Sequence, residues 1–259
     1  MSKTALITGA SSGIGLAFAQ LHASKGGSCV LVARSSEKLT QLKEELEQRY
    51  HVKVWVLALD LSKAGACKEV HNYTRSLQLR IDYLFNNAGF GDFGFFHEAE
   101  WLKQQEMIQL NIAALTELTH LYLRDMIAQG GGNILQNASV GAFLPGPLMS
   151  VYYATKAYVL HFSEAIQNEA APYNVKVCTV CYGPVASNFQ QAAGLEGSKL
   201  LQSIKLPSSE AAAAFGYEAM LKGTPVAIFK FETKLLVFLV RLLPRSWVVK
   251  MIRRVQDKK

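Results

Sequence analysis

Short apolar runs alternate along this chain with longer stretches in which apolar side chains return every three or four positions. The runs at Ala5–Thr8, Ser28–Ala33, Lys53–Ala58, Ile81–Phe85, Asn133–Gln136 and Asn174–Val180, with a weaker one at Pro225–Phe229, read as strands. The stretches between them, about Gly13–Lys25, Ser36–Tyr50, Lys63–Leu77, Trp101–Gln129, Ser150–Ala171 and Ser209–Lys222, read as helices. In the second of these, Leu39, Leu42 and Leu46 share one face, while Glu37, Lys38, Lys43, Glu44 and Glu47 lie off it. Strands separated by helices pair in parallel and are covered on both faces. The pattern predicts an α/β fold: a doubly wound, mostly parallel seven-stranded Rossmann sheet with helices on both faces.

No repeat, low-complexity tract or linker divides the chain, so residues 1–229 are expected to form one domain. Two stretches break the alternation. Residues 183–207 carry little regular pattern, and a loop of that length inside a compact domain is more often functional than accidental. It follows the sixth strand, at the end of the sheet where open α/β folds bind ligands. Residues 230–259 form a C-terminal extension with two helical patterns around Pro244.

Half of the 259 residues are apolar and 18% are charged, enough for a sizeable core. The net charge of +7 suggests nucleic acid until it is located: residues 1–229 hold 18 basic and 18 acidic side chains, and residues 230–259 hold nine and two. The excess therefore belongs to the extension, which carries no nucleic-acid reading motif. Cys178 and Cys181 form a C-x-x-C, but on a strand that spacing sends the thiols to opposite faces, so no metal site is expected. The N-terminus lacks the pattern of a signal peptide, and the apolar run Leu235–Val240 is far shorter than a membrane span. A cytoplasmic protein is expected.

The first strand runs into Thr8-Gly9-Ala10-Ser11-Ser12-Gly13-Ile14-Gly15 and then a helix. Glycines allow the tight turn and the close approach of backbone to a pyrophosphate, which the N–H groups of the helix N-terminus then meet. No Gly-Lys-Ser/Thr follows, which excludes a phosphate-binding NTPase loop. An NAD site would place a carboxylate at the end of the second strand; here Arg34 stands there, suited to a 2′-phosphate, with Ser11 or Ser12 to add a hydroxyl. The expected cofactor is NADPH/NADP+.

Tyr152 and Lys156 lie four residues apart on one helix face, 13 residues after Ser139. An ammonium beside a phenol favours the phenolate and brings it nearer to working range, and a serine hydroxyl can hold a substrate oxygen beside it. Tyr153, three residues before Lys156, competes for the role. These residues, with Asp60-Leu61, Asn86-Asn87-Ala88-Gly89 and Asn111, occur in the order and spacing of the classical short-chain dehydrogenase/reductase family, which the chain resembles over residues 3–229. The resemblance implies that Tyr152 is the proton donor, that Lys156 also holds the nicotinamide ribose, and that Asn111 positions a water feeding protons to Lys156. It further implies that Asn87, Ala88 and Gly89 run beside the adenosine ribose, that Asp60 and Leu61 lie near the adenine, and that Pro184, Val185 and Ser187 close on the cofactor. A homo-oligomer is expected. One departure is Tyr182, where the family has proline; it is expected to alter how the loop meets the nicotinamide or to line the substrate mouth.

The substrate cleft is expected from residues 89–96, 140–149 and the loop after Pro184, which supply Phe90, Phe93, Phe95, Phe96, Phe143, Leu144, Pro145, Leu148, Met149 and Phe189. This lining suits an apolar ketone or aldehyde. Oxidation of the corresponding alcohol and a non-catalytic NADPH-binding regulator are the alternatives. In the extension, Trp247, Val248, Met251, Ile252 and Val255 share a face; it is expected to pack on the domain or a partner subunit, or to lie on an anionic membrane surface.

Overall fold

The computed structural model describes residues 2–195 and 206–257. Seven strands form one sheet: β1 (Thr4–Thr8), β2 (Ser28–Ala33), β3 (Val54–Ala58), β4 (Tyr83–Asn86), β5 (Gly132–Asn137), β6 (Val175–Cys181) and β7 (Val226–Ile228). Their order is β3-β2-β1-β4-β5-β6-β7 and every pairing is parallel. The connections reverse direction between β1 and β4, which opens a crevice at the carboxyl ends of the strands. The helices are α1 (Gly13–Ser24), α2 (Ser36–Tyr50), α3 (Ala66–Ser76), α4 (Trp101–Ile108), α5 (Leu115–Ala128), α6 (Ser150–Ala170), α7 (Phe189–Ala192), α8 (Ser209–Lys222), α9 (Phe231–Val240) and α10 (Arg245–Gln256).

Alternation along the strands divides the core into two layers. Ile7, Leu31, Phe85, Leu135 and Val180 pack on Phe18 of α1, Leu39 and Leu46 of α2 and Tyr217 of α8. Leu6, Val30, Leu84 and Ile134, their neighbours in sequence, pack together with Val177 on Val70 of α3 and on Leu118, Tyr122 and Met126 of α5. Cys178 joins the first layer and Cys181 a cluster with Val159 and Leu160 on the other side. Both are free thiols pushed up to about 12 by burial, with no thiolate chemistry at neutral pH.

The long helix expected over 101–129 is interrupted: α4 and α5 are joined by a π-helical turn, Gln109–Ala114, which buries Asn111. Such single turns concentrate at functional sites. The loop expected over 183–207 contains α7, while its Gly197 and the rest of 196–205 lie outside the described residues.

Beyond β7, α10 buries Val248, Ile252 and Gln256, one per turn. Val248 and Ile252 pack with Leu144, Phe143 and Tyr153. Trp247 and Val255, expected on the buried face, are 64% and 40% exposed. The contact is a single ridge at four-residue spacing, too narrow to cover them.

Candidate active site

The cleft at the carboxyl ends of the strands has a volume of about 1090 Å³. At one end, Gly9 and Gly13 turn the chain with φ of 67° and 55°, a conformation glycine enters freely. Gly15 does not face the cleft. A Cβ there would stand 2.2 Å from Gly9 O and 2.5 Å from Asn87 Nδ2, so this glycine lets α1 seat against the turn. Ser35 and Ser208 cap α2 and α8 with their hydroxyls, but Ser12, at the equivalent position of α1, makes no side-chain cap. The first turn of α1 therefore presents uncapped N–H groups beside Ser11, Ser12 and Ile14 on the cleft wall, as an anionic group requires. The residues present fit a dinucleotide.

Arg34, exposed at the end of β2, lines this end, as do Asp60, Leu61, Asn87, Ala88 and Gly89. Asp60 accepts from the Ser62 N–H at 2.9 Å and the Ser62 hydroxyl at 2.8 Å. Burial pushes its carboxyl up, but those bonds and the charges of Arg34 and Lys63 outweigh it and hold the group below its usual range. Thr8 Oγ1 receives the N–H groups of Asn87 and Ala88, both at 3.0 Å, fixing the segment after β4 against β1.

At the other end, Ser139, Tyr152 and Lys156 all reach the cleft wall. Ser139, just after β5, accepts from Gly141 N–H at 3.1 Å, which orients its hydroxyl. Lys156, 5% exposed, donates to Asn137 O at 2.7 Å and lies 5.8 Å from the centre of the Tyr152 ring. Desolvation pulls its pKa down to about 8. Tyr152 differs from expectation. Burial raises its pKa well above the ordinary phenol value, and the Ser139 hydroxyl offsets this only in part. In the protein alone, desolvation outweighs the Ser139 hydrogen bond, so Tyr152 is a neutral phenol, the form that donates a proton.

Asn111 does not reach the cleft wall. Its Oδ1 accepts from Phe90 N–H at 3.2 Å, and its Nδ2 donates to Phe90 O at 2.9 Å and to Thr155 Oγ1 at 3.1 Å. It thereby ties the chain after Gly89 to the helix that carries Tyr152 and Lys156.

Pro184, Val185 and Ser187 line the cleft as well. Tyr182 does so only in part: its side chain is 4% exposed and its hydroxyl donates to Ala212 O of α8 at 3.1 Å. A Cβ at Gly216 would meet that hydroxyl at 2.2 Å, so the glycine makes room for the phenol. The Tyr182 carbonyl receives Val140 N–H at 2.9 Å and the Ser139 hydroxyl at 3.4 Å. Tyrosine in the proline position thus anchors the loop to the core under α8.

Of the apolar residues expected in the cleft, Phe90, Met149 and Phe189 line it, and Phe93 packs with Met149, Leu195 and Tyr152. Phe95 and Phe96 are 43% and 59% exposed outside it. Phe143 and Leu144 pack on the C-terminal helices, and Pro145 lines a separate groove with Arg241 and Arg245. Two polar residues on the wall, Lys38 and Gln256, escaped sequence reasoning. Lys38 stands three positions after Ser35, the cap of α2; Gln256 continues the spacing of Val248 and Ile252 by one more turn.

A profile described as short chain dehydrogenase matches residues 3–196. The chain belongs to that family. It is 34% identical over 173 residues to the very-long-chain 3-oxoacyl-CoA reductase-A of Danio rerio, covering 65% of this chain and 54% of that one. It is 31% identical over 178 residues to the 7beta-hydroxysteroid dehydrogenase of Collinsella aerofaciens, covering 69% and 67%. The chain spans about half the length of the first of these. Among solved structures, a short-chain dehydrogenase from Sphingobium yanoikuyae in complex with NADPH superposes with a TM-score of 0.83 at 28% identity, over 99% of both chains. The parallel sheet and the cleft at its carboxyl edge have the Rossmann form of that family.

Proposed function

We propose that this chain reduces the carbonyl group of an apolar ketone or aldehyde with NADPH. The observation that carries the reading is the convergence of Ser139, Tyr152 and Lys156 on one wall of a cleft whose other end fits a dinucleotide. The bound cofactor supplies hydride to the carbonyl carbon. Gly9, Ser11, Ser12, Gly13 and Ile14 hold its phosphates, with Arg34 and Lys38 at the 2′ position. The Ser139 hydroxyl donates to the substrate oxygen, and Tyr152, kept neutral by burial, gives that oxygen its proton. The Lys156 ammonium stands ready to reprotonate the site, and Asn111 acts as a positioning residue through Phe90 and Thr155.

An apolar substrate follows from Phe90, Met149, Phe189 and Leu195 on the wall and from relatives named for long acyl chains and steroids. The test is NADPH oxidation against a panel of apolar ketones and aldehydes. Tyr152→Phe is expected to lower turnover by about 10²-fold or more while NADPH binding persists. A near-normal rate in that variant would reassign the proton donor.

A second reading concerns the extension. No helix among the described residues is long and apolar enough to cross a membrane. Yet Phe231, Phe238, Leu242 and Trp247 are 60–75% exposed, with Leu235 and Leu239 near half. Lys230, Lys234, Arg241 and Arg245 flank them. A second copy docked on this face would bring like charges together, whereas an anionic bilayer complements them. The contact we assign is peripheral, through α9 and the Pro244 corner rather than the inward face of α10. Sedimentation with anionic vesicles should be lost in Phe231→Ser/Phe238→Ser; binding unchanged by that pair would exclude the face.

A further inference from the structure

The apolar end of the cleft contains one polar group that nothing among the described residues satisfies. Gln256 is 2% exposed and lies on the cleft wall, and its Oε1 is buried with no hydrogen-bond partner among the described residues. The other end of the same amide is engaged: Nε2 donates to the Tyr153 hydroxyl. Around them stand Met149, Ala193 and Leu195, with Phe93, Tyr152 and Phe189. A buried carbonyl oxygen without a donor is expensive and rare in a native structure. Its position is not that of a frayed terminus. Val248 and Ile252, two turns and one turn earlier, pack on Leu144, and the Arg253 guanidinium sits 4.8 Å from the centre of the Phe95 ring.

We propose that Gln256 and Tyr153 form a second recognition point that binds a hydroxyl group of the substrate, remote from the carbonyl that is reduced. The orphan oxygen calls for a donor. Met149, Ala193, Leu195, Phe93 and Phe189 around it are apolar and offer an ammonium no counter-charge, so the donor is neutral. A hydroxyl serves either orientation of the amide, donating to Oε1 or, if the amide turns over, accepting from Nε2. The Tyr152 and Tyr153 rings stand 6.0 Å apart and nearly perpendicular, which places this point about one ring away from the reacting position. The substrate class is therefore a hydroxy-ketone on an apolar skeleton. The inference rests on Tyr152 being the proton donor to a carbonyl.

The experiment uses pairs of steroid and decalin ketones identical but for one hydroxyl remote from the carbonyl. The wild-type protein should favour the hydroxylated member by at least about 10-fold in kcat/KM for one spacing. In Gln256→Met, which keeps the length and loses the hydrogen bond, that ratio should fall to about one. Binding of the matching alcohol pairs to the protein with NADP+, measured by calorimetry, should show the same preference and the same loss. A wild-type protein with no preference in either assay overturns the inference, and so does a preference that survives Gln256→Met. If no ketone is reduced but the alcohols bind with the Gln256-dependent preference, the reductase reading fails and the recognition point stands.

Discussion

Cofactor choice can be tested at two side chains. Arg34 at the end of β2 and Lys38 in the first turn of α2 are exposed cations on the cleft wall beside Ser11 and Ser12. A 2′-phosphate brought there would receive charge-assisted hydrogen bonds, each worth about 1.5–3 kcal/mol where solvent is partly excluded. Exposure reduces this. At an effective dielectric constant near that of a protein surface, two unit charges 4 Å apart attract by about 4 kcal/mol, and in bulk water by about 1. Taking about 1–2 kcal/mol per cation, Arg34→Ala/Lys38→Ala should weaken NADPH binding about 30- to 1000-fold. NADH, which has no 2′-phosphate, should bind almost as before. Titrating both nucleotides by fluorescence at two salt concentrations checks this, because the wild-type preference for NADPH should shrink with salt while the variant's does not. A double variant that binds NADPH within threefold of wild type would refute the assignment of the 2′ site.

Three further outcomes follow from groups the fold perturbs. Because kcat/KM reports the free protein, its alkaline limb for reduction should fall near pH 8, where the buried Lys156 ammonium is lost; a limb displaced to the usual lysine range would remove Lys156 as its source. His22, 1% exposed, contacts the Tyr217 hydroxyl at 2.9 Å and Lys3 O at 3.0 Å, and desolvation lowers its pKa below 6.5. Below pH 6.5 the unfolded chain therefore binds a proton that the folded chain refuses. Stability should fall as pH drops through that value, by at most about 1.4 kcal/mol per pH unit from this group, and His22→Gln should flatten the slope in urea titrations. Gly15→Ala, forced to 2.2 Å from Gly9 O, should lower NADPH affinity at least about tenfold, read by the same fluorescence titration; unchanged affinity would mean that the turn yields freely.

What the sequence revealed and what it hid divide along physical lines. The parallel seven-stranded sheet with helices on both faces was legible because short apolar runs alternate with stretches of helical period, and neighbours on one chain decide that. That the glycine turn, Ser139, Tyr152 and Lys156 would meet at one cleft was legible from their order and spacing. The π-helical turn was not: Gln109 to Ala114 has ordinary helical composition, and its extra residue answers to Asn111 bonding Phe90, 21 positions away. Nor was the destination of Tyr182. A tyrosine two residues from Pro184 reads as a mouth residue until Gly216, on a helix that begins 27 positions later, is seen to leave space for its hydroxyl. Lys38 looked like one more solvated side chain of α2 because only the position of β2's end shows what it faces.

The choice between two adjacent tyrosines shows how the extension bears on the chemistry. Sequence leaves Tyr152 and Tyr153 both within reach of Lys156. Packing separates them. The Tyr153 ring lies over Gly146, where a Cβ would come within 2.2 Å of its Cγ, and its hydroxyl is bonded by Gln256 from α10. Tyr152 instead meets the Ser139 hydroxyl and stands 5.3 Å from the Phe189 ring in the cleft. Burial pushes both phenols up, Tyr153 to about 12, so acidity does not distinguish them. Access to a serine donor does. The C-terminal helix therefore occupies the tyrosine that would compete, and the segment that looked like a basic appendage helps leave a single phenol free beside Ser139.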